Sequence, residues 1–240
     1  MAIELPSEVA QFLNFIGVPW INVNEDKVRD FATHVRQFAT DLGDVHQDAT
    51  ATLKSLGTGY SGAAYEALMQ MWADKSSTHL TELIDGCGVL AAALDAAADF
   101  IAAQKVACLA ELAVMAVSFV ADQAAAVLTF GLAEAAEALI VEGAEKLMEF
   151  AEQQIEQYII GQVLEAALKP LMAKMDGAVQ GLLMSADQAG LGAAGIEVGP
   201  SFSVDLAHIG AHANQMRQHA QTVAGHTQTF TTNLRGLSFS

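Results

Sequence analysis

Nine apolar positions, Val28, Phe31, Val35, Phe38, Leu42, Val45, Ala49, Leu53 and Leu56, follow one another at steps of 3, 4, 3, 4, 3, 4, 4 and 3. Only a helix brings positions so spaced onto one line, and a line this regular is a heptad seam that needs a second helix against it. Asp30, His34, Arg36, Gln37, Asp41, Asp44 and Gln47 fall between the seam positions. The helix therefore reads as one narrow apolar stripe with a solvated back. Asn24 is predicted to cap its start, with Glu25 and Asp26 in the first turn.

The pattern breaks at Leu56-Gly-Thr-Gly-Tyr-Ser-Gly62, three glycines within six residues, and resumes at once. Tyr65, Met69, Trp72, Ser76, Leu80, Leu83, Cys87, Leu90, Leu94 and Ile101 form a second seam. Two such helices joined by a short glycine turn are antiparallel neighbours, each about 45 Å long or more. Ala63, Ala64, Ala67, Met71, Ala91, Ala92, Ala93, Ala96, Ala97 and Ala98 widen the apolar face of the second arm. That face exceeds one seam and calls for further helices. Hydrophobic residues make up 52% of the 240 and aromatics only 7%, with four prolines. Alanine, leucine and valine carry the core, as close-packed helices require.

The expectation is an all-α fold: an elongated antiparallel helical hairpin or bundle with additional packed helices and a C-terminal amphipathic helix. Residues 1–22 form an N-terminal arm interrupted by Pro19, residues 23–104 the hairpin, and 105–185 apolar helices, in which Pro170 is predicted to kink or end one helix. Residues 1–185 together read as one domain. Residues 186–202, containing Ala189-Gly-Leu-Gly-Ala-Ala-Gly195, read as a linker. Residues 203–240 carry a last seam, Leu206, Ile209, Ala213, Met216, Ala220, Val223, Thr227, Phe230 and Leu234, with Ser203 as its cap and Asp205 behind it. This seam needs the body of the chain, another copy or a separate hairpin protein. The first arm shows no second stripe, which points to a separate protein or a second copy.

The run Leu112–Ala121 raises the question of a membrane span. Glu111, Asp122, Glu134 and Glu137 interrupt the apolar stretches, and a carboxylate at mid-bilayer costs about 2.5–3.5 kcal/mol or more, so packed soluble helices are the favoured reading. Met1-Ala-Ile-Glu-Leu-Pro has no basic region and no long apolar core before Pro19, so no signal peptide is read there.

The net charge of −17 repels nucleic-acid phosphates and anionic lipid, and no basic patch offsets it. Cys87 and Cys108, about 30 Å apart if one helix carries both, read as buried small hydrophobes. His208, His212, His219 and His226 lie on one side of the last helix, but no Cys or acidic partner completes a metal site, so they read as surface histidines. Glu134 through Glu156 form a solvated acidic face, and Trp72 is a seam residue. There is no G-x-S-x-G, phosphate-cradling loop, CxxC or HExxH. No catalytic, cofactor-binding or metal-binding residue is expected, and the chain is not read as an enzyme.

Tyr60-Ser-Gly62 stands between the two arms where the WXG100 family carries its Trp-x-Gly turn, and Ala63, Ala64, Tyr65 and Trp72 resemble the opening of that family's second helix. Phe15-Ile-Gly-Val-Pro-Trp20 followed by Asn24–Val28 resembles the start of a WXG100-like domain. The stretch resembles the N-terminal region of large actinobacterial secreted toxins, including CpnT-like outer-membrane channel and toxin proteins. The likeness covers roughly residues 1–185; residues 203–240 resemble the first arm of another such hairpin. The sequence departs from the family in having Tyr60 in place of Trp, and no Tyr-x-x-x-Asp/Glu export motif follows Tyr65 or Tyr158.

The resemblance implies a turn motif at Tyr60, Gly62 and Trp72 and a partner seam at Leu206, Ile209, Met216, Val223, Phe230 and Leu234. It implies a non-enzymatic type VII (ESX) secretion substrate or targeting and assembly module. Such a module pairs with a small WXG100-type helical protein or with itself, engages the type VII machinery, and serves as the delivery part of a toxin system. It would be cytoplasmic before export and then secreted or cell-surface by a route without a signal peptide. The rival reading is a membrane-active, pore-forming effector whose apolar central helices insert into lipid.

Overall fold

The computed structural model describes residues 3–126, 132–174 and 203–237. Helix α1 spans Ser7–Ile16 and α2 Glu25–Leu56; a two-residue strand β1, Tyr60–Ser61, follows. Helix α3, Ala63–Lys75, passes through a π-helical turn, Ser76–Leu80, into α4, Thr81–Ala126. Helix α5, Leu132–Tyr158, runs into a second π-helical stretch, Ile159–Leu168. Strand β2 is Ser203–Val204 and the last helix, α6, is Leu206–Arg235. Among the described residues the fold is all-α apart from the antiparallel pair Tyr60↔Val204 and Ser61↔Ser203.

Local chemistry sets the ends. Asn24 Oδ1 accepts from the N–H groups of Asp26 and Lys27 at 3.0 and 3.2 Å, capping α2. Gly17, at φ 73°, closes α1, and the N–H of Val18 reaches back to the carbonyl of Leu13 at 3.1 Å. Asp205, not Ser203, caps α6: its carboxylate accepts from Ala207 and His208, while Ser203 lies in β2. The second arm does not stop near residue 104. No Gly or Pro occurs between Val89 and Ala126 to break it, so one helix continues to Ala126. Nor does Pro170 end its helix, which continues over residues 169–174. The wider π-helical turns just before Pro170 relieve the clash of its ring with the preceding turn.

The chain divides into two compact units, which α2 and α4 both enter. The first holds residues 1–30 and 93–164. Its core is Val9, Phe12 and Leu13 of α1, Ile101, Cys108, Leu112 and Phe119 of α4, and Ala144, Met148, Ala151 and Ile155 of α5. Phe12 packs on Phe119 at 5.4 Å, and Phe100 stacks on Tyr158 at 4.3 Å. Arg29 meets Asp99 at 2.7 Å, and Lys105 meets Glu25 at 2.7 Å. These pairs run the two arms antiparallel.

The second unit holds residues 31–92 and 165–237. Val35, Leu42, Val45, Ala49, Leu53 and Leu56 of the first seam are buried there, as are Cys87, Leu90 and Ala91. Tyr65 hydroxyl reaches the carbonyl of Leu53, and Trp72 reaches Thr50, so this stretch of the hairpin is antiparallel as well.

Candidate functional site

The hairpin tip explains its own glycines. Gly62 has φ 125°, in the region open to glycine, and its carbonyl accepts the first helical bonds of α3 from Tyr65 and Glu66. A Cβ on Gly57 would run into the Tyr65 ring, and one on Gly59 into the imidazole of His208. Tyr60 is half-buried and meets Tyr65 edge-on at 6.1 Å. Trp72, also half-buried, donates from Nε1 to Thr50 Oγ1 at 2.9 Å and lies against the His46 ring at 5.7 Å. The tip is further held by β2 and by the Asp205 N–H, which donates to the Gly59 carbonyl at 3.1 Å. No sequence signal marks that strand pair, because two residues carry no alternation to read.

Helix α6 lies antiparallel on the first arm of its own hairpin. His208 Nε2 donates to the Ser55 carbonyl at 3.2 Å and lies 3.2 Å from Thr58 Oγ1. His212 Nδ1 donates to the His208 carbonyl, which leaves Nε2 facing Ser55 Oγ at 2.7 Å. His219 Nε2 lies 3.0 Å from Thr52 Oγ1, and His226 Nδ1 3.1 Å from Asp41 Oδ2. Phe230 stacks on Phe38 at 4.7 Å. The four histidines are thus contact residues, unlike the solvated ones the sequence suggests. The first arm does carry a second stripe, at His34, Phe38, Asp41, Thr52 and Ser55, but a largely polar one. Of the proposed seam, Ile209, Met216, Val223, Phe230 and Leu234 are half-buried and Leu206 is exposed, and no residue of α6 is fully buried.

In the first unit, α4 carries apolar residues on its exposed side as well as its buried one, interrupted there by Asp99 and Glu111. Ala103, Ala107, Ala110, Val114, Val117 and Ala121 are all exposed, at steps of 4, 3, 4, 3 and 4. This is a further seam, and Val114 and Val117 stand 67% and 72% open. Beside it, α1 and α4 form an apolar groove of about 600 Å³ lined by Val9, Phe12, Phe15, Ala116, Phe119 and Val120.

Deep in the same unit, the Glu25 carboxylate, 0% exposed, accepts from Lys105 Nζ and from the Ile3 N–H. Burial pushes the Glu25 carboxyl up, but the Lys105 bond, the backbone N–H groups of Glu25 and Ile3, and the lysine's charge outweigh it and hold the group below its ordinary value. Nothing in the sequence singles out this pair, whose members stand 80 residues apart. Cys87 and Cys108 are free and buried; burial pushes both thiols up, with Glu111 adding to the effect at Cys108. Among the described residues, no three His, Cys, Asp or Glu side chains converge as metal ligands.

No curated protein and no solved structure matches the chain. A family match covers residues 3–147, described as a WXG100 like domain. That span holds α1, both arms and the glycine tip with Tyr60-Ser-Gly62. The chain therefore belongs to the WXG100-like domain family, a helical, non-enzymatic family related to type VII secretion, whose hairpins pair with helical partners.

Proposed function

We propose that the chain is a type VII secretion substrate or targeting module that docks a small WXG100-type helical hairpin on the open seam of α4. One observation carries the reading: Ala103, Ala107, Ala110, Val114, Val117 and Ala121 form an exposed heptad line on a helix whose opposite side is already buried. Soluble proteins rarely leave so long an apolar stripe in water, and its small residues admit a closely approaching helix. The stripe of α6, half-buried on the first arm, becomes a second such face for a partner or another copy only where α6 leaves that arm. On this reading the protein is cytoplasmic until export and then secreted or displayed at the cell surface. The likeness of residues 15–28 to actinobacterial toxin N-terminal regions supports a role as the delivery part of a toxin system.

The test is co-expression with a cognate small hairpin. A stoichiometric complex that V114S/V117S abolishes, with the fold retained by circular dichroism, supports the reading. A monomer on size exclusion with light scattering, indifferent to the candidate partner, overturns it.

A second reading has its own support. The segment Thr81–Ala121 is long and apolar enough to cross a membrane, and 28% of its most apolar window is buried. On that reading the central helices insert into lipid as a pore. Dye release from neutral vesicles by the full chain favours insertion; its absence, with hairpin binding intact, favours docking.

A further inference from the structure

We propose that β2 and α6 form a releasable clamp closed over the hairpin tip. The inference rests on how α6 is held and not on the partner reading above. Every residue of α6 keeps contact with solvent, whereas Val35 and Leu42 in the hairpin seam of α2 are 1% and 4% exposed. What fastens the helix is a half-buried stripe with the Phe38–Phe230 stack, and a row of hydrogen bonds between four imidazoles and hydroxyl, carbonyl and carboxylate oxygens at its edge. Water replaces bonds of this kind at small net cost, while it cannot replace a buried aliphatic seam. The clamp therefore opens at lower free energy than the hairpin unfolds, as a local unit.

Opening has a defined result. The Asp205 bond to the Gly59 carbonyl, the ladder to Tyr60 and Ser61, and the His208 ring over Gly59 all leave together. The outer backbone edge of the Tyr60-Ser-Gly62 turn is then bared, along with the apolar stripe of α6. The hairpin keeps its core. The turn motif thus has a covered and an uncovered state within one chain.

Hydrogen exchange with mass spectrometry on the full chain tests this. In the native protein, amides of residues 206–235 are expected to exchange at least about tenfold faster than those of 32–53. In H212A/H219A, exchange of 206–235 and 59–61 is expected to rise about tenfold further, with 32–53 unchanged. Exchange of 206–235 and 32–53 at one common rate in the native protein overturns the clamp. So does a variant that accelerates both segments equally.

Discussion

Replacing Lys105 by Met isolates the buried ion pair of the first unit. Glu25 is 0% and Lys105 4% exposed, and their charged atoms stand 2.7 Å apart. Methionine matches the length of the lysine stem and keeps the packing, but it strands a carboxylate with only backbone N–H donors. Breaking one side of a buried pair costs about 3–5 kcal/mol, whereas replacing both with apolar groups is often neutral or stabilising. The K105M protein should lose about 3–5 kcal/mol in urea unfolding at pH 7. The double variant E25M/K105M should recover most of that loss.

The pH dependence has a sign. In the native protein the Glu25 carboxyl is held below its unfolded value of about 4.3, so its stabilisation is complete above that pH. It fades as pH falls through the lower folded value. Without Lys105 the desolvation dominates and the group titrates above its unfolded value. The deficit of K105M is then largest at neutral pH and shrinks toward pH 4 as the carboxyl protonates. Unfolding midpoints at pH 7, 5 and 4, followed by circular dichroism, measure this directly. A loss below about 1 kcal/mol at pH 7, or a deficit that grows on acidification, refutes the reasoning.

At the tip, Gly62→Ala forces a side chain into φ 125° and should cost about 1–3 kcal/mol in a urea titration. Gly59→Ala should instead loosen α6 first, seen as faster exchange of residues 206–212, because the added methyl meets His208. Cys87 and Cys108 should resist a thiol reagent at pH 8 in the native state and react on unfolding, because burial both shields them and disfavours the thiolate.

The two arms were legible because burial writes a 3–4 period into the seam, and the turn because glycine has few substitutes at positive φ. The docking of α6 was not. Its footing on α2, at His34, Asp41, Thr52 and Ser55, has the same heptad spacing but polar residues, and polar residues at that period also describe a solvated face. A search for apolar stripes passes over such a surface. The Glu25–Lys105 pair hid for another reason: a first-turn glutamate already has a local role at a helix N-terminus, and burial depends on what packs around it. The open line along α4 was partly visible as excess alanine. Which side would be left uncovered depended on where α1 and α5 settle.

The histidines of α6 have one more consequence. His212, His219 and His226 recur every seven residues, and the oxygens they meet form a polar row on α2 at Ser55, Thr52 and Asp41. The two rows act like the teeth of a vernier: a slide of one heptad brings His226 to the place of His219, and His219 to that of His212. The ladder alone does not say which tooth engages. The choice falls to features that do not repeat, the Phe38–Phe230 stack at one end and the Tyr60↔Val204 pair at the other. A polar heptad interface of this kind is tolerant along its length and exact only where it is pinned.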